Sequence, residues 1–198
     1  MAAKMIIEYF SELANEVHET EKGIFGVSDL KRVQDFFEQI NLKSGTFLDL
    51  GSGDGRVTIL ASLQCDKAIG IEFDELLVKK SLKHAKKLDS KAEFLCQDYE
   101  DYDFSNVDVL FSYADHAFSQ NFVEKLVKEF KGTLYIYEGV FFPNGITKGK
   151  TIWADQTPIM SYTVEGEYDP KIKVKKVLRG KAAVIDSRFA APKKRGRR

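Results

Sequence analysis

The feature that most constrains the fold is a short apolar run, residues 46–50, which leads into three glycines at alternate positions, Gly51, Gly53 and Gly55. A helical pattern begins directly after the third glycine, so the segment predicts a strand, a loop and a helix in that order. Glycine adopts positive φ angles and carries no side chain, so a ligand can approach this backbone closely. The next helix points its free N–H groups and positive dipole end towards the same place. The segment therefore predicts a ligand-binding loop at the carboxyl end of a strand in an open sheet.

The rest of the chain alternates between helical and strand-like patterns. Further helices are predicted over 5–19, 55–63, 74–88 and 119–130. Another helix is predicted to start after Ser28 or Asp29 and to end near residue 40. Further strands are predicted over 68–72, 92–96, 107–112 and 133–137. Strands separated by helices are typical of parallel crossover units. After residue 140 come three strand-like runs, 151–154, 159–164 and 171–178, joined by Pro and Gly turns. We therefore predict an α/β fold with a doubly wound, mostly parallel sheet and antiparallel C-terminal edge strands.

Composition excludes several classes of protein. The formal net charge is zero, which argues against a surface built as a whole to bind nucleic acid or membrane. No run approaches the roughly 20 apolar residues that cross a bilayer. Cys65 and Cys96 form neither a disulfide framework nor a metal motif, so we expect small core residues in a reduced compartment. We therefore expect a soluble, cytoplasmic protein with no membrane partner. We also expect no metal site, because the three histidines are scattered along the chain: His18, His84 and His116.

The residues around the glycines distinguish between two kinds of nucleotide-like cofactor. A dinucleotide fingerprint has Gly or Ala at the sixth position from its first glycine, and that position is Arg56 here. Asp49 lies at the end of the strand, and Asp54 lies within the loop. Carboxylates repel a pyrophosphate, whereas they attract a sulfonium or ammonium group. The loop therefore predicts a cationic cofactor without phosphate, and it disfavours a nicotinamide-dependent dehydrogenase.

Two more acids follow the next two predicted strands. Glu72 ends the second strand, where a carboxylate can accept hydrogen bonds from both hydroxyls of a ribose. Asp98 follows the third strand, where it is placed to accept from an adenine amino group. Phe73 and Tyr99 flank these acids, and their rings could enclose the adenine. Together with the glycine loop, these residues predict a cofactor that contains a nucleoside.

Three segments carry a family resemblance: Asp49-Leu-Gly-Ser-Gly-Asp-Gly-Arg56, Ile71-Glu72 and Gln97-Asp98. They resemble the cofactor motifs of class I S-adenosylmethionine-dependent methyltransferases, which implies a Rossmann-like fold and S-adenosyl-L-methionine as the cofactor. In that family the glycines line the methionine part, the acid after the second strand holds the ribose, and the third motif lies near the base. The cofactor-binding residues that we predict on this basis are Asp49, Gly51, Ser52, Gly53, Gly55, Glu72, Phe73, Asp98 and Tyr99.

We expect one domain in four parts. Residues 1–45 are predicted to be a helical N-terminal lead-in, and residues 46–137 the cofactor-binding half of the methyltransferase domain. Residues 138–190 are predicted to supply the C-terminal edge strands, and residues 191–198 a disordered basic tail. The tail could add affinity for nucleic acid, although we do not infer the substrate from it.

The methyl acceptor is expected to approach the end of the fourth strand. Nucleic-acid amino-methyltransferases of this family carry Asn or Asp, then Pro-Pro and an aromatic residue there, whereas this chain has Ser112-Tyr-Ala-Asp115. This difference argues against methylation of a base amino group. Tyr113, Asp115 and His116 are the candidate catalytic residues, placed to orient or deprotonate an amine or hydroxyl. Asp115 or His116 could equally well start the following helix.

The glycine-loop sequence, on a short chain with a helical lead-in, is also similar to small archaeal-type protein lysine methyltransferases. Residues 23–29 stand where those enzymes have an aromatic-containing loop. We therefore predict an S-adenosylmethionine-dependent methyltransferase with a protein lysine amine as the leading acceptor. The alternatives are an RNA or small-molecule methyltransferase and a non-catalytic cofactor-fold module that binds a partner. The sequence leaves the oligomeric state open.

Overall fold

The computed structural model describes residues 2–14, 16–139 and 141–164. Its helices are α1 (Ala2–Ser11), α2 (Leu30–Ile40), α3 (Arg56–Ala61), α4 (Glu75–Lys87) and α5 (Gln120–Glu129). Its strands are β1 (His18–Glu19), β2 (Ile24–Phe25), β3 (Thr46–Leu50), β4 (Lys67–Glu72), β5 (Glu93–Cys96), β6 (Val109–Ser112), β7 (Thr133–Tyr137), β8 (Lys148–Ala154) and β9 (Thr157–Thr163).

A seven-stranded sheet organises the fold, with the strand order β5-β4-β3-β6-β7-β9-β8. Strands β3 to β7 pair in parallel, and β9 pairs antiparallel with both β7 and β8. The predicted α/β fold with antiparallel C-terminal edge strands is therefore confirmed. The direction of winding reverses between β3 and β6, and open sheets of this type bind ligands beyond the carboxyl ends of the strands at such a point.

The sheet buries a separate apolar cluster on each face, because successive side chains of a strand point to opposite faces. Phe47 of β3 packs into a cluster with buried residues of α1, α2 and α3. Leu48 and Leu50 of the same strand belong to the opposite cluster, which includes buried residues of α5. Burying one such large apolar side chain contributes about 1.5–3 kcal/mol. The two clusters hold β3, and with it the glycine loop, at the centre of the molecule.

Short polar side chains fix where the helices begin. The Asp29 carboxylate accepts hydrogen bonds from the backbone N–H groups of Lys31 and Arg32 and so caps α2. Asp74 caps α4 in the same way, and the Ser119 hydroxyl accepts from the N–H group of Phe122 at the start of α5. Of the two predicted caps for α2, the structure uses Asp29.

The helix predicted over residues 5–19 is wrong in its second half. Helix α1 ends at Ser11, and His18 and Glu19 instead form β1, which pairs antiparallel with β2. A turn closes this hairpin, because the Thr20 N–H group and hydroxyl both donate to the Gly23 carbonyl. The backbone pairing of the hairpin holds residues 18–19 in a strand, and Val17, an apolar residue at helical spacing in the predicted helix, is 42% exposed in the structure.

Two smaller expectations also fail. His18, which falls within the predicted helix 5–19, lies on strand β1. His84 lies on α4, within the predicted helix 74–88; it is half-buried and its Nδ1 is 2.7 Å from the Tyr9 hydroxyl, so it is a packing residue. Cys96 is exposed and is therefore not a core residue, whereas Cys65 is half-buried. The strand predicted over 171–178 and the tail at 191–198 lie outside the described residues.

In the described part of the chain, no helix combines the length and the apolar character needed to cross a membrane.

Candidate functional site

A cavity of about 1030 Å³ lies at the carboxyl ends of the parallel strands. It has the size of a site that holds a cofactor and part of a second ligand. The predicted site residues that line it are Asp49, Gly51, Ser52, Gly53, Glu72, Phe73, Asp98, Tyr99, Tyr113, Asp115 and His116. Gly55 is the exception, because it does not line the cavity. The fold therefore brings together residues that are up to 67 positions apart in the sequence, from Asp49 to His116.

The glycine loop presents bare backbone to this cavity. Gly51 has a φ of 73°, and a Cβ atom added to it would meet no atom within 4 Å. The N–H groups of Gly51 and Ser52 both donate to the Ile71 carbonyl at 2.9 Å, which ties the loop to the end of β4. The open side of Gly51 is therefore available for a ligand that approaches the backbone closely.

The other two glycines are needed for packing against neighbouring elements. A Cβ atom on Gly53, where φ is 56°, would lie 2.5 Å from Cε2 of Phe25 in the hairpin. A Cβ atom on Gly55, where φ is 82°, would lie 2.6 Å from both Phe94 and Ser81. Gly55 thus allows the start of α3 to pack against β5 and α4, and this packing role differs from the expected contact with a cofactor.

Glu72 shapes the loop through both of its carboxylate oxygens. Oε2 accepts from the Gly53 N–H group at 2.9 Å, and Oε1 accepts from the Asp74 N–H group at 2.9 Å. Each oxygen keeps a second lone pair, so the half-buried carboxylate can still accept from two ligand hydroxyls. Its position at the end of β4 agrees with the sequence prediction, while its binding role stays a prediction.

Asp54 does not contribute a free negative charge. Its carboxylate accepts from Arg56 Nε at 3.0 Å and from Arg56 Nη2 at 2.6 Å, and both side chains are buried. Asp54 is therefore not one of the acids that attract a cationic cofactor, and the prediction that it is one is wrong. The guanidinium two residues later neutralises the charge. Arg56 also lies 5.1 Å from the centre of the Phe10 ring in α1.

Asp49 is buried at the end of β3 beneath the loop. Burial raises the pKa of its carboxyl group to about 7, and the nearby Glu72 and Asp54 act in the same direction. The Thr58 hydroxyl donates to Oδ2 at 2.9 Å and opposes this shift in pKa without cancelling it. A positive charge in the cavity would therefore find a carboxyl group that can ionise in response.

The predicted adenine region is covered by Lys22 of the hairpin turn. Lys22 Nζ donates to Asp98 Oδ2 and lies 4.1 Å from the centre of the Phe73 ring. Burial raises the pKa of Asp98, but the bonds from Lys22 and from the Glu100 N–H group outweigh burial and hold the pKa below its usual value. Tyr99 packs its ring edge-on against Phe122 at 5.1 Å, and burial raises the pKa of its phenol to about 12.

The hairpin β1–β2 contacts the loops that follow four parallel strands. Phe25 packs against Gly53 after β3, and Lys22 reaches Phe73 after β4 and Asp98 after β5. The Ile24 N–H group donates to Asp115 Oδ2 after β6. The sequence did not predict this covering hairpin, because two-residue strands carry no detectable periodicity.

The opposite end of the cavity holds the predicted catalytic residues and one residue that sequence reasoning missed. The Tyr113 hydroxyl donates to Oε2 of Glu138 at 2.6 Å. His116 is exposed, and its Nδ1 lies 2.6 Å from Asp115 Oδ1. Glu138 follows the predicted strand 133–137, so the rule that selected Glu72 and Asp98 would also have selected it.

The cavity fits the cofactor that the resemblance implies. The bare backbone at Gly51 leaves space for a ligand, and the buried Ser52 hydroxyl has no hydrogen-bond partner within the described ranges. The Glu72 carboxylate is oriented and has free lone pairs. In the same ranges, no group of three or more His, Cys, Asp or Glu is arranged to hold a metal ion. The donor set therefore suits a cationic nucleoside better than a diphosphate.

Comparisons with known proteins agree with this geometry. Residues 47–135 match a family model described as a methyltransferase domain. No curated protein matches the chain. A solved RNA methyltransferase from Salinibacter ruber in complex with S-adenosyl-L-homocysteine matches with a TM-score of 0.58 and 23% identity, over 72% of this chain and 95% of that chain.

Two further solved structures share the fold. A 16S rRNA methyltransferase from T. thermophilus in complex with AdoMet and guanosine has a TM-score of 0.58 and 16% identity, over 75% of this chain and 45% of that chain. A magnesium protoporphyrin IX methyltransferase from Synechocystis with bound SAH has a TM-score of 0.53 and 14% identity, over 67% of this chain and 80% of that chain. Such low identities show a common fold and leave the acceptor of this chain undetermined.

Proposed function

We propose that this chain, whose residues 47–135 match a methyltransferase domain model, is an S-adenosylmethionine-dependent methyltransferase that methylates an amine, with a lysine side chain of a protein as the acceptor. The charge of the cavity is the observation that supports this acceptor. Seven carboxylates line the cavity, against three Lys or Arg side chains.

The three basic side chains pair with other acids and do not neutralise the carboxylates of Asp115 and Glu138, which lie at the end of the cavity where we expect the acceptor. Arg56 pairs with Asp54 and Lys22 pairs with Asp98, while Arg32 pairs with Asp29 and Asp155. The remaining negative charge favours a cationic acceptor such as lysine. It also disfavours RNA, whose backbone brings one negative charge per phosphate.

The cofactor and the enzyme contribute different parts of the chemistry. When bound, S-adenosylmethionine supplies an electrophilic methyl group. A lysine amine is a protonated ammonium group at neutral pH, and it must lose one proton before its nitrogen lone pair can attack. When the Nδ1–H group of His116 donates to Asp115, His116 Nε2 keeps its lone pair and can accept the proton from the lysine ammonium group. We assign Tyr113 to orienting the acceptor.

The test compares acceptors directly. The full chain is incubated with methyl-labelled S-adenosylmethionine and one of three probes: a randomised peptide pool that contains lysine, the same pool with its lysine amines acetylated, or total RNA. We expect label in the first pool, loss of label on acetylation, and no label in RNA. Label in RNA, which is the acceptor type named for two of the similar structures, would overturn the proposed acceptor.

A matched pair of variants tests the cofactor site in the same assay. Glu72→Ala removes the carboxylate that is placed to hold the ribose, so we expect cofactor binding to weaken roughly 10- to 100-fold by calorimetry. Glu75→Ala removes an exposed carboxylate only three residues later and should leave the affinity unchanged. Equal affinities of the two variants would contradict the placement of the cofactor. Wild-type protein that binds the cofactor and labels no probe would favour a non-catalytic binding module.

A further inference from the structure

Glu138 lies beside Tyr113 because their strands are neighbours. Ser112 of β6 is paired with Ile136 of β7, so the residues that follow the two strands emerge at the same edge of the sheet. The Tyr113 hydroxyl donates to Glu138 Oε2 at 2.6 Å, which fixes the direction of the carboxylate. Both residues line the cavity, and Glu138 is half-buried.

The backbone of Glu138 has a conformation that a long side chain rarely adopts. Its φ is 58°, and Gly139 follows with a φ of 54°. The other non-glycine residues with positive φ in the described ranges are Asn41, Asp89 and Asp155, which lie at helix ends or in a turn. Asn and Asp tolerate this region, whereas Glu has no such tolerance. Backbone strain of this kind tends to be found at functional sites.

Glu138 also differs from the other carboxylates of the cavity in its partners. Asp54 and Asp98 pair with cations, and Glu72 accepts from two backbone N–H groups. Glu138 accepts from a neutral phenol, and among the described residues no Lys or Arg forms an ion pair with it. Its second oxygen, Oε1, is therefore available to a cationic ligand.

Aromatic and apolar side chains line the cavity together with this carboxylate. Tyr113, Phe141 and Pro158 line it, and the Tyr113 ring packs against the buried ring of Tyr137 at 5.1 Å and an angle of 69°. An alkylammonium group is attracted both to a carboxylate and to aromatic faces. A lysine side chain, with an apolar stem and a charged end, matches this combination.

We propose that Glu138, oriented by Tyr113, binds the amino group of the acceptor and makes the enzyme select a cationic side chain. This inference rests on the proposed amine acceptor. Glu138 is then a specificity-determining residue that touches the substrate, and Tyr113 is its positioning residue.

The test measures acceptor and cofactor affinities separately in the full chain. Glu138→Gln keeps the size and an oxygen that can accept from Tyr113, but it removes the charge. We expect KM for the lysine-containing peptide pool to rise about 10- to 100-fold, while the affinity for S-adenosylmethionine stays unchanged. Tyr113→Phe should raise the same KM by a smaller factor, because the carboxylate remains but is no longer held in place. Glu124→Gln removes an exposed carboxylate on α5 and should change neither constant.

A second measurement does not depend on turnover. Binding of the fluorescently labelled peptide pool, in the presence of S-adenosylhomocysteine, should weaken as salt increases for the wild type and much less for Glu138→Gln. Wild-type enzyme that methylates the pool, with an unchanged KM and salt dependence in Glu138→Gln, would overturn this inference and leave the proposed function standing. Wild-type enzyme that methylates RNA and not the pool would overturn the proposed function itself.

Discussion

Asp49 shows how one buried residue can make cofactor binding depend on pH. Its carboxyl group is almost inaccessible to solvent, and burial raises its pKa to about 7. Both protonation states are therefore populated at neutral pH. A positively charged ligand stabilises the ionised form, so binding of the ligand should release a proton.

We expect the affinity of the protein for S-adenosylmethionine to increase with pH. If only the ionised form of Asp49 binds well, the Kd should fall by up to about tenfold between pH 6 and pH 8. Calorimetry in buffers of different ionisation enthalpy measures both the Kd and the proton release. Asp49→Asn cannot ionise, so its Kd should be nearly constant over this range. A variant with the pH dependence of the wild type would contradict the assignment.

The same pKa has a consequence for the stability of the free protein. The folded pKa of Asp49 lies above the unfolded value of about 3.9, so the folded state holds the proton more tightly. The stabilisation from this proton is complete below about pH 4 and is lost as the pH rises through about 7. Asp49→Asn should lack this loss.

Individual acids could be predicted from the sequence, but their counter-ions could not. Glu72 and Asp98 were found because they follow strands, and the structure places both in the cavity. Asp98 is paired with Lys22, a residue 76 positions away that lies on an element absent from the prediction. Arg56 was recognised as a departure from a dinucleotide motif and not as the partner of Asp54. Side-chain pairing depends on the folded geometry, and spacing along the chain does not encode it.

At the scale of elements, the β1–β2 hairpin is the part of the site that local sequence patterns could not predict. Its strands have two residues each, and its position depends on contacts with the loops after the parallel strands. The helices and the longer strands were predictable because their apolar residues recur over whole turns or whole strands. An element held by tertiary contacts leaves no such pattern.

The hairpin should compete with the cofactor for one part of the cavity. Lys22 covers Phe73 and pairs with Asp98, two of the three residues predicted to contact the adenine. An adenine that stacks on the face of Phe73 covered by Lys22 and bonds to Asp98 would have to displace Lys22. We therefore expect Lys22→Ala to bind S-adenosylmethionine more tightly, by up to about fivefold, because an exposed ion pair no longer has to be broken.

Isothermal titration of Lys22→Ala and Lys79→Ala separates this effect from a general loss of positive charge. Lys79 also forms an exposed ion pair, with Glu75 on α4, and does not line the cavity. Its variant should bind like the wild type. Weaker binding by Lys22→Ala would mean that Lys22 contacts the cofactor instead of competing with it.

For the whole molecule, a mostly parallel sheet could be predicted from the alternation of strands and helices, whereas the docking of the N-terminal helix could not. Phe10 of α1 is buried, and its ring lies 5.1 Å from the Arg56 guanidinium. Arg56 in turn pairs with Asp54 of the glycine loop. Helix α1 is thus connected to the glycine loop through a buried ion pair, although they are more than 40 residues apart.

We expect Phe10→Ala to lower the stability of the fold by about 3–5 kcal/mol, because it leaves a cavity in the core beside Arg56. For a domain of this size the loss corresponds to a decrease in Tm of roughly 6–20 °C, measured by circular dichroism. Met5→Ala on the same helix should leave the Tm nearly unchanged, because Met5 is 52% exposed. Equal Tm values for wild type and Phe10→Ala would show that α1 is not docked in solution.

Melting experiments with and without cofactor show whether Phe10 stabilises only the core or also the cofactor site. A ligand at about 100 times its Kd adds about 2.7 kcal/mol to the stability of a protein that binds it only when folded. If Phe10 supports only the core, a fixed concentration of S-adenosylmethionine should stabilise wild type and Phe10→Ala equally. We expect a smaller increment in Phe10→Ala, because loss of the ring frees the pair between Arg56 and Asp54 of the glycine loop and weakens cofactor binding. An equal increment would limit the role of α1 to the core.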